Sequence, residues 1–94
     1  MSFFYRFPAV RSDMTASRSY QASKINEEVE EAIEALSDYR SRPSGKARAA
    51  YGMELMDVIH AAEMALRMEF SDEEVGGLRD AVEKKNRRRG YYGG

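Results

Sequence analysis

Pro8 and Pro43 are the only two prolines in the 94-residue chain, and between and beyond them apolar residues recur at helical steps. Ile25, Val29, Ala32, Ile33 and Leu36 fall at intervals of 4, 3, 1 and 3, the single stripe of an amphipathic helix. Serine, threonine and aspartate between Asp13 and Ser23 offer caps for its start. Ser41-Arg42-Pro43-Ser44-Gly45 ends it, because a residue before proline is biased away from helix. A second helix is predicted from about 46 to 68, with Tyr51, Leu55, Val58, Ile59, Ala62 and Leu66 as its apolar face. Ser71-Asp72-Glu73-Glu74 reads as a capping box with further acids in the first turn. It opens a third helix through Val75, Leu78, Ala81 and Val82 to about Arg88. Gly76 and Gly77 are expected to interrupt that helix, each costing roughly 1 kcal/mol against alanine, unless they permit close approach to a neighbour. No longer segment has the period of a strand. The expected fold is all-α, a small bundle of three to four helices.

Composition narrows the function classes. The absence of cysteine excludes a disulfide scaffold, a thiolate zinc site and a cysteine nucleophile, and suits a reducing, cytoplasmic setting. Fifteen basic against sixteen acidic side chains leave a net charge of -1, so no overall field gathers nucleic acid or an anionic membrane. Apolar runs fall far short of the ~18 residues of a membrane helix. The start, Met1-Ser2-Phe3-Phe4-Tyr5-Arg6-Phe7-Pro8, lacks the basic-then-apolar order of a signal peptide. A domain of this size buries only about 60–65% of its unfolded surface, so a thin core completed by self-association is expected. Residues 1–22 divide off as an aromatic arm and the start of the first helix, 23–92 as the helical domain and 93–94 as a tail. The arm's Phe3, Phe4, Tyr5 and Phe7 are read as packing over the bundle or a partner subunit, with base stacking as the other possibility.

The informative feature is a pair of acidic pairs. Glu27-Glu28-Val29-Glu30-Glu31 on the first helix is answered by Glu54-Leu55-Met56-Asp57 on the second. Glu28 with Glu31, and Glu54 with Asp57, are spaced i, i+3, which sets Cβ atoms ~5–6 Å apart on one face. At about 100° per residue, each pair lies roughly 90° and 150° from its helix's apolar stripe, with the same rotational sense. Antiparallel packing of one hand lets both pairs meet across a groove, and the other hand turns them apart. Four converging carboxylates demand cations or raised pKa values, and oxygen-only ligation suits magnesium or manganese. The alternative is a solvated glutamate-rich face. His60 continues the acid face by a further turn and reads either as a surface or interface histidine or as a ligand.

A third element, Lys84-Lys85-Asn86-Arg87-Arg88-Arg89-Gly90-Tyr91-Tyr92, concentrates cations suited to phosphate, or simply complements a helix C-terminus. With this element in place the chain resembles the MazG-type, all-α nucleoside triphosphate pyrophosphohydrolases. Their Glu-Glu-x-x-Glu, Glu-x-x-Asp and Lys-Asn-x-x-Arg-Gly-Tyr-like pieces read here as Glu27 to Glu31, Glu54 to Asp57 after 22 residues, and Lys85 to Tyr91. Lys24-Ile25 looks like the family's lead-in, and the resemblance spans roughly residues 20 to 92. It implies magnesium-dependent cleavage of a nucleoside triphosphate, often a deoxynucleotide or non-standard one, to monophosphate and pyrophosphate. It further implies that Glu28, Glu31, Glu54 and Asp57 hold Mg2+, with Mn2+ a substitute, and that Glu27 and Glu28 serve the attacking water. Lys85, Asn86 and Arg89 would contact phosphate or sugar, and Tyr91 would pack near the nucleotide. A homodimer or homotetramer is implied, with neither membrane nor nucleic acid as partner. Two other readings stay open: a helical interaction or nucleic-acid-associated protein without catalysis, and a nucleotide sensor without turnover. A di-iron carboxylate bundle is set aside, because it needs two Glu-x-x-His motifs and the chain has one histidine.

Overall fold

The computed structural model describes residues 5–11 and 17–93. Phe3, Phe4, the candidate caps from 12 to 16 and the end of the tail lie outside the described residues. The fold is all-α, with three helices and, among the described residues, no strand: α1, Arg18–Ser41; α2, Gly45–Glu69; and α3, Asp72–Arg88. Every helix starts on a serine whose hydroxyl accepts an otherwise orphan amide. Ser17 Oγ accepts from Tyr20 N at 3.1 Å and Ser44 Oγ from Ala47 N at 3.0 Å. Ser71 forms the expected capping box, in which its Oγ accepts from Glu74 N at 3.2 Å and Glu74 Oε1 accepts from Ser71 N at 3.0 Å.

The two long helices pack antiparallel in a two-turn register. Gln21 Nε2 donates to the Ala61 carbonyl at 2.9 Å, Glu28 lies against Glu54, and Ala35 and Ala47 line one cleft near the connecting turn. Seven residues forward on α1 are thus answered by seven back on α2, which keeps one face turned inward along the hairpin. That face overlaps the apolar stripe only in part. On α1 the buried residues are Gln21, Glu28 and Ala32, whereas Ile33 is 63% exposed and Val29 36%. The inward face is rotated by roughly 60° from the stripe toward the acids. Alanines at the contact allow close approach, while larger apolar side chains are left at its edge. The apolar stripe is therefore only partly covered on α1, with Ala32 buried and Ile25 and Leu36 half-buried, and Leu55, at 43% exposed, shows the same shift on α2.

α3 departs from a compact bundle. The radius of gyration is 15.7 Å, against about 12 Å for a compact chain of this length. The first turn of α3 is seated by buried Val75, but Leu78 and Val82 remain close to half exposed. Between α3 and the Val58, Ala62 and Leu66 side of α2 runs an open groove of about 580 Å3. α3 passes unbroken through Gly76 and Gly77, and a methyl group on Gly77 would meet nothing within 4 Å. The helix stops at Gly90, whose φ of +80° is left-handed. Gly90 N donates to the Arg87 carbonyl at 3.0 Å and Tyr91 N to the Asn86 carbonyl at 3.0 Å. These are the two bonds of a Schellman motif, so the Arg-Gly-Tyr segment has a conformational reason of its own.

Candidate metal centre

The register of the hairpin brings the acids together. Glu28 from α1 and Glu54 and Asp57 from α2 each offer a carboxylate oxygen, and these oxygens lie within 4.8 Å of one another. Of the two packing hands left open by the sequence, this is the convergent one. The reason is the same rotation that exposes the apolar stripe: with α1 turned toward its acidic side, Glu28 is only 8% exposed. Burial of one carboxylate beside two others is costly without compensation. Lys24, one turn earlier, supplies part of it, with Nζ 3.0 Å from Glu28 Oε1. Glu54 Oε2 is buried and has no hydrogen-bond partner among the described residues.

These oxygens suit a hard cation. A magnesium ion at ~2.1 Å from its ligands spans at most about 4.2 Å between opposite oxygens, so the set needs only small side-chain adjustments to close. A buried carboxylate oxygen with no donor among the described residues is the geometry an ion would relieve.

The remaining expected site residues are placed differently. Glu31 lies outside the set of three but within its field. Its pKa is raised chiefly by the charge of Glu28, then by partial desolvation, Glu54 and Glu27. Glu27 points outward, 3.8 Å from Lys24. Lys85, Asn86, Arg89 and Tyr91 ride on the end of α3, and among the described residues no hydrogen bond or ion pair joins them to the acids. Lys85 and Arg89 are exposed and Asn86 is half-buried. Arg87 is engaged locally, with Nη2 3.1 Å from Glu83 Oε1 and its guanidinium 5.3 Å from the Tyr92 ring centre.

A second cluster on α2 escaped the sequence reading. Glu63, 6% exposed, accepts from the backbone amides of Arg6 at 2.8 Å and Phe7 at 3.0 Å. Arg67 Nη1 donates to the Phe7 carbonyl at 2.9 Å while its guanidinium lies 3.8 Å from the Tyr5 ring centre. His60 stacks on Phe7 at 4.7 Å between ring centres, which makes it an anchor for the arm and separates it from the acid cluster. The described part of the aromatic arm therefore packs over the bundle, strapped along α2. Burial of the Tyr5 hydroxyl raises its pKa, with Asp72 and Glu63 adding to the rise and Arg67 opposing it. The i, i+4 pair of Glu63 and Arg67 on one helix face was the available signal.

No helix among the described residues is long and apolar enough to cross a membrane. Comparison of the chain with protein-family models, with curated proteins and with solved structures gave no match to any of them.

Proposed function

We propose that this chain is a magnesium-dependent nucleoside triphosphate pyrophosphohydrolase of the MazG type, acting in the cytoplasm. The observation that carries the reading is the meeting of Glu28, Glu54 and Asp57, with Glu54 Oε2 buried and unpartnered. The resemblance of the three sequence pieces to that family implies the substrate class. Glu28, Glu54 and Asp57 hold Mg2+ or Mn2+, and Glu31 joins them when the charge it now feels is neutralised. The ion supplies charge neutralisation of the triphosphate and a more acidic bound water. Glu27 or Glu28 would accept the proton of an attacking water as its oxygen bonds to the α-phosphorus. The bond from the α-phosphorus to the bridging oxygen breaks, and pyrophosphate leaves with its charge balanced by Lys85 and Arg89. Asn86 and Tyr91 contact the nucleotide.

This reading requires the end of α3 to approach the acids, by closure of the open groove or from a second subunit. The half-exposed Leu78 and Val82 on α3, with Leu55 and Met56 on α2, favour a homodimer or homotetramer in which such faces are covered. Neither nucleic acid nor a membrane is a proposed partner.

The test is a panel of canonical and modified triphosphates with Mg2+, separating pyrophosphate from orthophosphate among the products. Release of pyrophosphate with a monophosphate, lost in Glu54→Gln and Asp57→Asn, is expected. Nucleotide binding without turnover would make the chain a sensor. Absence of both binding and turnover, with Mg2+ leaving the melting temperature unmoved, would return it to the class of helical interaction proteins.

A further inference from the structure

Lys24 has a place in the acid cluster that neither ligation nor catalysis uses. It stands one turn before Glu28, its Nζ 3.0 Å from Glu28 Oε1 and 3.8 Å from Glu27 Oε2. Burial is uneven across the stronger pair: the Lys24 side chain is 38% exposed and that of Glu28 only 10%. The lysine therefore reaches in from the rim on a flexible stem, whereas the carboxylate is fixed by the hairpin. The oxygen it pairs with belongs to the set that converges with Glu54 and Asp57. An ammonium and a divalent cation sharing one buried carboxylate repel each other, so each weakens the other's hold.

From this geometry we infer that Lys24 is a resident counter-ion of the cluster, and that a divalent ion binds by displacing its ammonium from Glu28. The inference rests on the proposed metal centre and adds a control to it. The ion pair that offsets the buried Glu28 charge in the metal-free state also lowers the affinity for metal. Lys24 is thus a positioning residue, acting through Glu28. Removing its charge has opposite effects on two measurements: less stability without metal and tighter metal binding.

The experiment uses the full chain as wild type, Lys24→Met, Lys24→Arg, Glu28→Gln and the Lys24→Met/Glu28→Gln double variant. Melting is followed in chelator, and affinity for Mn2+ alone is measured by calorimetry. Lys24→Met is expected to melt at a lower temperature in chelator and to bind Mn2+ about fivefold more tightly, with Lys24→Arg close to wild type. In the Glu28→Gln background the same change should leave Mn2+ affinity unmoved and keep only the small melting effect of the longer Lys24–Glu27 pair. Equal or weaker Mn2+ affinity in Lys24→Met, with wild type binding well, overturns the counter-ion role and leaves the metal centre standing. Absence of Mn2+ binding in every variant, with the melting difference retained, overturns both and reduces Lys24 to one half of a structural ion pair.

Discussion

Two glutamates on opposite faces of one helix, Glu54 toward α1 and Glu63 toward the arm, live under opposite conditions. Glu63 is buried and satisfied: two backbone amides of the arm point at its oxygens, with Arg67 one turn along the same helix. Glu54 has one buried oxygen with no partner and stands beside two further carboxylates. The same residue type is a buried fastening in one place and a half-buried unmet need in the other. The difference lies in what the neighbouring segment brings, donors from the arm or more acid from α1. A satisfied acid contributes to folding, whereas an unsatisfied one makes sense where a cation is to arrive.

Substitutions can break this contrast, and the largest effect is expected in turnover. Asp57→Asn and Glu54→Gln should lower pyrophosphate release by roughly 100-fold or more and remove any melting shift caused by Mg2+, as read by product assay and calorimetry. Glu63→Ala should leave that Mg2+ shift intact and instead cost about 2–4 kcal/mol in denaturant unfolding, because two amides lose a charged acceptor. Loss of the Mg2+ response in Glu63→Ala would erase the division between the two glutamates.

A third expectation has the reverse sign. In chelator, Glu54→Gln should raise stability by about 1 kcal/mol, some 4–8 °C in melting temperature for a chain this size, since a neutral group replaces a crowded charge. The smallest effect concerns the arm. The Tyr5 phenol holds its proton more tightly in the folded protein than in the unfolded one. Stability should therefore be unaffected by this group below the ordinary tyrosine pKa and fall as pH rises from there through the raised value. Tyr5→Phe should flatten that alkaline decline in a pH series of melts.

Much of the fold was legible because helices announce themselves locally. The Ser71 and Glu74 capping box, the stop at Pro43 and the 3.6-residue period needed no tertiary knowledge. What the apolar stripe could not convey was helix rotation. Small Ala32 and Ala61 lie at the contact while Ile33 faces outward, so the buried side is decided by fit as well as by hydrophobicity. The acids were legible as pairs through their i, i+3 spacing, but not the rotation that takes Glu28 inward and leaves Glu31 at the margin. The Glu63 strap was missed because its donors are backbone amides more than fifty residues away, and the i, i+4 spacing of Glu63 and Arg67 marks a helix face without saying what covers it. The two glycines of α3 misled in the other direction. Capping at both ends and the pairing of Glu83 with Arg79 and Arg87 hold a helix that local propensity alone would interrupt.

α3 carries both of its own stoppers, Ser71 with Glu74 at one end and the left-handed Gly90 at the other. An element sealed in this way keeps its internal bonds whichever way it leans. Val75 is its one deeply buried residue, and Lys85 and Arg89 stand at the end farthest from the Phe70 junction, where any difference in the helix's angle would displace them most.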